Sequence, residues 1–216
     1  MRAFFAFFVT IPYLIRRTQK TEPDRKDLMF IQTETTPNPA TLKFLPGLVV
    51  LADGNRNFDS KDNAVASPLA QRLFEVEGVQ GVFLGGDFIT ITKVDDREWF
   101  LMKPSILGII MEHFTAGRAV LADDVNDEAN PAVGHASGQD DNQIVVQIKE
   151  LLDTRVRPAV AMDGGDIVFH SFEDGVVYLA MQGACSGCPS STMTLKHGIE
   201  NMLKHYVPEV NEVQSI

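Results

Sequence analysis

The stretch ADDVNDEANPAVGHASGQDD, residues 122–141, does most to constrain how this chain folds. It carries six acidic residues together with Gly, Pro, Ser and Asn, and its few apolar residues follow neither a helical nor a strand period. That composition is typical of a linker. With 216 residues, the chain is long enough for two small folded units. We therefore predict a linker at 121–141 between one unit at 29–120 and a second at 142–216.

The first unit begins with a strand pattern and continues into a helix start. MFIQTE, which opens at Met29, is typical of a strand, and the prolines of the following TPNPATLKFLPG predict a turn or irregular loop. Ser67-Pro68 predicts a helix, with the serine as N-cap and the proline in the first helical position. The first unit therefore mixes both kinds of element.

Two further elements are predicted before the linker. VQGVFLGGDFITITKV, residues 79–94, alternates around Gly85-Gly86-Asp87 and predicts a β-hairpin. Lys103-Pro104 introduces SILGIIMEHFTAG, which predicts a second helix that ends at Gly117.

The second unit shows a helix, two strands, a cysteine loop, a helix and a final strand. Apolar residues at helical spacing predict a helix over 142–160, and Pro158 weakens its end. DIVFHSF and GVVYLAM predict a hairpin that turns at 173–175, and VNEVQSI predicts the last strand. The fold class predicted for the chain is α+β: two small α/β-layer domains joined by an acidic flexible linker.

Charge and cysteine count exclude several classes of protein. The net charge of −10 argues against nucleic acid as a main partner, because a phosphate-binding surface needs clustered Lys and Arg. Two cysteines are too few for the disulfide framework of a small secreted domain. A reducing compartment fits this chain best.

Residues 1–28 differ from the rest in charge and in hydropathy. They contain six Lys or Arg and three Asp or Glu, a net charge of +3, after an apolar run at 3–15. Because roughly 20 apolar residues are needed to span a bilayer, we expect no stable membrane insertion. The segment is an organelle-targeting presequence, a membrane-association segment, or sequence upstream of the true start. Since Met29 opens the first strand pattern, we favour the last and expect a bacterial cytoplasmic protein; a presequence would direct it to the mitochondrial matrix.

The pair Cys185 and Cys188, in GACSGCPSS, is the strongest candidate for chemistry. A two-residue spacer lets both sulfurs point to the same side of a turn. The helix predicted from about Pro189 places its positive dipole end beside Cys188, which lowers thiol pKa and favours the thiolate that binds metal or attacks disulfides. Gly183 and Gly187 leave room for a bulky ligand.

The number of thiols leaves three functions open. Structural zinc and a 4Fe–4S cluster each need about four ligands, whereas the chain has two cysteines. A symmetric dimer that brings two pairs together supplies four, and a site at such an interface suits a cluster that is delivered. A zinc-stabilised dimer is a second hypothesis. A thiol–disulfide oxidoreductase is the third, although no aromatic residue precedes Cys185 and no βαβ unit is predicted before it.

The remaining polar candidates are better explained by structure than by chemistry. In MDGGD, the glycines between Asp163 and Asp166 predict a tight turn in which aspartate caps local N–H groups. Four other side chains could contribute ligands or partner contacts, but the histidines are expected at surface or packing positions and the arginines as solvated helix-end cations: His170, His197, Arg155 and Arg157. We predict no catalytic residue.

The two cysteine-region segments resemble a known family. RPAVAMDGGDIVFHSFEDGVVYLAMQG and the following GACSGCPSSTMTLKHGIE are similar to the C-terminal domain of NifU-like (Nfu-type) iron–sulfur cluster proteins, and FIQTETTPNPATLKFLPG to the N-terminal domain that accompanies it. The resemblance covers about residues 29–216. It implies a non-enzymatic homodimer that binds one bridging 4Fe–4S cluster through Cys185 and Cys188. Upstream cluster-assembly proteins and apo iron–sulfur client proteins would be its partners. The chain lacks the further cysteines of the full-length NifU scaffold, which favours a carrier.

Overall fold

The computed structural model of the protein describes residues 30–122, 139–187 and 189–216, which form two sheets with helices packed against them. The predictions for residues 1–28, for most of the linker and for Cys188 lie outside those ranges. Within the described ranges, no helix is both long and apolar enough to cross a membrane. The two helix-covered sheets confirm the predicted α+β class.

The first unit is a five-stranded antiparallel sheet with two helices on one face. Its strands are β1 (Gln32–Thr35), β2 (Thr41–Leu45), β3 (Arg56–Phe58), β4 (Val79–Leu84) and β5 (Ile89–Lys93). Its helices are α1 (Pro68–Leu73) and α2 (Trp99–Thr115). The strand order is β1-β2-β5-β4-β3, so the hairpin predicted at 79–94 is confirmed and supplies the central strand.

Alternating side chains give this sheet two different faces. The apolar side chains of one face form a core with the helices: Leu42, Phe44, Val82, Leu84, Ile89, Ile91, Leu69, Leu73, Met102, Ile106 and Ile110. The opposite face carries Lys43, Phe83 and Thr90, which lie side by side because Thr90 pairs with Lys43 on one side and with Phe83 on the other. We call these three residues the second sheet face. All three are buried.

The start of helix α2 differs from the prediction. The helix begins at Trp99 rather than at Lys103-Pro104, so that Pro104 lies inside it. An interior proline costs roughly 3 kcal/mol in a helix. The earlier start brings Met102 into the core, where burial of such a side chain contributes about 1.5–3 kcal/mol and offsets much of that cost.

The proline-rich segment 36–47 contains a turn followed by strand β2. The turn prediction is confirmed at Asn38, whose carbonyl accepts a hydrogen bond from the Thr41 N–H at 2.9 Å. From Thr41 the chain pairs with β1 and with β5, a strand that the sequence analysis did not predict. The backbone hydrogen bonds of this strand come from its neighbours at 32–35 and 89–93. No local pattern in the sequence indicates which strands will pair with it.

The second unit is a three-stranded sheet covered by helices. Its helices are α3 (Gln139–Leu151), α4 (Arg157–Met162) and α5 (Pro189–Tyr206). Its strands are β6 (Gly165–Glu173), β7 (Val176–Gly183) and β8 (Glu212–Ser215), in the order β6-β7-β8. The β6–β7 hairpin is antiparallel, as predicted, whereas β8 runs parallel to β7 after the crossover helix α5, which parallel neighbours require.

Pro158 divides the helix predicted at 142–160. The chain widens into π-helical turns over Leu152–Val156, where the Arg157 N–H donates to the carbonyl of Leu152, and it resumes as α4 with Pro158 in the first turn. Proline has no N–H to donate and its ring clashes with the carbonyl four residues earlier, so the wider turn accommodates it. The end of α4 is thereby aimed at the MDGGD segment.

Candidate metal centre

Cys185 lies in a tight turn between strand β7 and helix α5. Its N–H donates to the Gln182 carbonyl at 3.3 Å, and the Ser186 N–H donates to the Gly183 carbonyl at 3.1 Å. Gly183 and Gly187 have φ values of +61° and +78°, which favour glycine. The predicted position of the cysteine, after a strand and before a helix, is therefore confirmed. Residues 183–187 are called the cysteine loop below.

The glycines of MDGGD let the start of β6 approach the cysteine loop closely. A Cβ placed on Gly165 would lie 2.6 Å from Cys185 Sγ and 2.7 Å from the Gln182 carbonyl oxygen. Gly164 has a φ of +83°, and its carbonyl accepts a hydrogen bond from the Ala184 N–H at 3.1 Å. The predicted turn is confirmed, and its second glycine is needed because the cysteine sulfur packs against it.

The thiol of Cys185 is buried in this arrangement, with 7% of the residue exposed. Burial raises the pKa of Cys185 to about 12, and the nearby carboxylates of Asp163 and Asp166 act in the same direction. For Cys185 the expectation of a lowered thiol pKa is therefore wrong in this conformation. Cys188, where that expectation placed the helix dipole, lies outside the described residues. Assignment of both cysteines as ligands stays a prediction.

Asp166 and Arg157 form an ion pair that the sequence analysis missed. Asp166 is buried, and Arg157 donates to its two oxygens, from Nε at 2.9 Å and from Nη2 at 2.8 Å. The prediction that Asp166 caps local N–H groups is wrong, as is the prediction that Arg157 is a solvated cation. The two residues are nine positions apart across a turn, and neither helical nor strand periodicity brings such a pair together.

The other candidates are on the surface of the second unit. His170 and His197 are exposed, as predicted, and Arg155 is an exposed cation 4.7 Å from the centroid of the Tyr206 ring. Asp163 is exposed at the end of α4. In the part of the chain that the structure describes, no three His, Cys, Asp or Glu side chains come together so that they could hold a metal ion.

Four polar side chains of the first unit donate hydrogen bonds to the region around Cys185, and the sequence analysis assigned none of them to the site. Their acceptors are backbone carbonyls of Ala161, of the MDGGD segment and of the cysteine loop, and one carboxylate oxygen of Asp166. The donors are Asn38, Lys43, Asn55 and Thr90. The one local signal for Lys43 and Thr90 is the alternation of polar residues in β2 and β5. Such alternation predicts a polar sheet face, but it does not indicate what packs against that face.

Two protein-family models match the two units. The NifU-like domain matches residues 148–214, and the N-terminal domain of the scaffold protein Nfu/NifU matches residues 31–117. A curated protein from Drosophila persimilis, named NFU1 iron-sulfur cluster scaffold homolog, mitochondrial, is 51% identical over 207 residues. The chain belongs to the NifU-like (Nfu-type) family. The family resemblance found in the sequence is confirmed.

The two Drosophila relatives of this NifU-like chain are longer than the chain. The match covers 95% of the chain and 71% of the D. persimilis protein. The Drosophila sechellia protein of the same name is 54% identical over 189 residues, which are 87% of the chain and 65% of that protein. A solution structure of a NifU-like protein from Saccharomyces cerevisiae, 27% identical, covers 51% of the chain and 98% of its own, with a TM-score of 0.43.

The predicted location in a bacterial cytoplasm is wrong. Both Drosophila relatives are named as mitochondrial proteins, which indicates a mitochondrial location. The alternative that residues 1–28 are a presequence stays a prediction.

Proposed function

We propose that this NifU-like protein is an iron–sulfur cluster carrier, in which Cys185 and Cys188 of two subunits bind one 4Fe–4S cluster and pass it to apo-proteins. The names of its relatives support a role in iron–sulfur cluster assembly. The observation that carries the proposal is the position of Cys185, in a glycine-bounded turn before α5, in a chain with only two cysteines.

The cysteine loop has space for a bulky cargo on one side. A Cβ on Gly187 would meet nothing within 4 Å, and Ser186 is exposed. On its other side the loop is supported by close contact with Gly165. A cluster that approached from the open side would therefore meet loop backbone at Gly187 rather than a bulky side chain.

Ligand number supports a site shared by two subunits. A 4Fe–4S cluster is held by four thiolates, and each chain supplies two. A twofold axis through the cluster would make the two contributions identical. Because a cluster held between two subunits becomes exposed when the subunits separate, we infer a role in cluster delivery rather than in chemical turnover.

Anaerobic reconstitution of the full chain with ferrous iron and sulfide tests this proposal. We expect about four irons per dimer and a visible cluster absorbance. Cys185→Ser and Cys188→Ser should each abolish both signals, and Ser186→Ala, a change of an exposed side chain between them, should leave both unchanged. Binding of zinc by a chain that binds no iron would support a structural metal site instead. Disulfide reduction by an iron-free monomer would support an oxidoreductase.

Delivery needs a separate measurement. The loaded chain, mixed with an apo-protein that has a four-cysteine 4Fe–4S site, should lose its cluster absorbance as the acceptor gains activity, in the presence of an iron chelator. If the chelator abolished the gain, the acceptor would be taking up released iron and the carrier role would be refuted.

A further inference from the structure

The second sheet face of the first unit is buried although no helix of that unit covers it. Lys43 is 7% exposed, Phe83 2% and Thr90 0%. Antiparallel sheets commonly leave one face to water, and a lysine on such a face is expected to be solvated. The second unit provides the missing cover.

Two residues of this face bind the backbone of the MDGGD segment and the helix before it. Thr90 Oγ1 donates to the Gly164 carbonyl at 2.7 Å. Lys43 Nζ donates to the carbonyls of Ala161 and Met162 at 3.3 and 2.9 Å. Those carbonyls end α4, and a cation is favoured at the negative end of a helix. The charge of Lys43 is therefore compensated both by Glu34 of its own unit, whose Oε2 lies 3.7 Å from Nζ, and by these carbonyls of the second unit.

The same surface extends to the cysteine loop. Asn38 Nδ2 donates to the Ser186 carbonyl at 2.9 Å, and Asn55 Nδ2 donates to Asp166. The ring of Phe83 lies over Gly183, where a Cβ would come within 3.0 Å of Phe83 Cγ. The first unit therefore contacts the cysteine loop on both sides of Cys185 in the sequence, at Gly183 and at Ser186.

The contact is polar and leaves space, which suits a reversible association. A cavity of about 630 Å³ remains between the units, lined among others by Asn55, Arg157 and Gln182. Apart from Phe83, the contacts described above are hydrogen bonds to carbonyls and a carboxylate, and water can replace these on separation. Of the first-unit side chains described above, Phe83 is the apolar one that opening would expose.

We propose that the second sheet face is a docking surface for the chain's own cysteine loop. Docking holds the loop in the conformation in which Cys185 is buried, and the loop must leave this surface before two subunits can share a cluster. This inference rests on the proposed function. A bridging cluster requires the Cys185 sulfur to face another subunit, whereas in the docked arrangement the first unit holds the loop backbone and the sulfur stays buried in the core of the second unit, against Gly165. Docking and loading therefore exclude each other.

The docking can be tested on the apo chain, without iron. In a Cys188→Ser background Cys185 is the single thiol, and its rate of reaction with a bulky maleimide reports exposure. Lys43→Met with Thr90→Val removes three hydrogen bonds to the second unit. The matched control is Lys93→Met with Thr92→Val, the same substitutions on β5, where among the described residues Lys93 Nζ donates to the adjacent Val94 carbonyl alone.

We expect the Lys43/Thr90 pair to raise the maleimide rate by about tenfold or more, because each bond lost shifts the docking equilibrium several-fold. The control pair should react at the parent rate. Equal rates in all three chains would overturn the proposal, as would a control pair that reacted as fast as the test pair. If circular dichroism shows that the test pair fails to fold, Asn55→Ala, placed before β3, replaces it with an expected gain of a few-fold.

Two further measurements define what the docking does. In chains with both cysteines, the test pair should take up cluster faster than the control pair; equal uptake would refute any effect on loading. Light scattering of the apo chain should give a monomer mass, and a dimer would mean that the cover comes from a second copy, contrary to the proposal. Because the maleimide assay contains no iron, its failure and a failure of cluster binding are distinguishable.

Discussion

Gly165→Ala should displace the cysteine loop and weaken the second unit. The new Cβ would lie 2.6 Å from Cys185 Sγ, 2.7 Å from the Gln182 carbonyl oxygen and 2.9 Å from the Cys185 nitrogen. Two of these three atoms belong to the backbone, so they cannot move away by rotation of a side chain. Relief therefore requires the loop itself to shift.

The expected size of the effect follows from two opposing terms. Overpacking of a tight site costs about 1–3 kcal/mol, and three contacts below 3.0 Å place Gly165 at the upper end. Alanine in a strand is favoured over glycine by roughly 0.5–1 kcal/mol. We therefore expect the free energy of unfolding of the second unit to fall by about 2 kcal/mol.

Urea titration of the apo chain, followed by the amide signals of the second unit in NMR, measures this change. The matched control is Gly198→Ala in α5, where a Cβ would meet nothing within 4 Å, and which should stabilise the unit by about 0.5–1 kcal/mol. Because the Cys185 loop must move, Gly165→Ala should also lower cluster occupancy. A Gly165→Ala chain as stable as the parent would refute the close approach described here.

Three other changes have expected outcomes. Arg157→Met leaves the buried Asp166 carboxylate without its bidentate partner, and should lower the free energy of unfolding in urea titration by about 2 kcal/mol. The loss is smaller than for a fully buried pair because Arg157 is half-exposed. An unchanged free energy would show that the pair contributes nothing to stability. Glu200 accepts hydrogen bonds from Lys204 Nζ and from the Val213 N–H, and these bonds lower its pKa, so its stabilisation is present above the usual pKa of 4.5 and is lost as pH falls below it. Glu200→Gln should flatten that acid-side fall, and an identical pH profile would contradict it. Gly108→Ala in α2, where a Cβ meets nothing within 4 Å, should raise stability by about 1 kcal/mol, and a decrease would contradict the open position.

Elements with strong local signals were predictable from the sequence. The β6–β7 hairpin turns at Asp174-Gly175, both with positive φ, which only a short list of residues adopts readily. Ser67 caps α1 by accepting from the Ala70 N–H, as its position before Pro68 predicts. In the same way, the glycines around Cys185 marked a tight loop. Such features depend on residues within a few positions of each other, and sequence patterns record them.

Partners that are distant in the chain were not predictable. Because proline favours the first turn of a helix, the sequence predicts a helix start at Lys103-Pro104. Packing of Met102 places the start four residues earlier. Thr90 bonds to a carbonyl 74 positions away, and Lys43 to carbonyls 118 and 119 positions away. A sheet face with alternating polar residues reads the same in the sequence whether water or a second unit covers it.

The sequence by itself determined the α+β class, the family, and the placement of two cysteines between a strand and a helix, because turn residues, periodicity and spacing are local properties. The tertiary structure decided that Cys185 is buried, that Asp166 is paired with Arg157, and that Lys43 and Thr90 face the second unit. These outcomes depend on which surfaces meet after folding. Burial and electrostatics are set by that meeting, so the chemistry of the thiol in this conformation follows from the fold rather than from the motif.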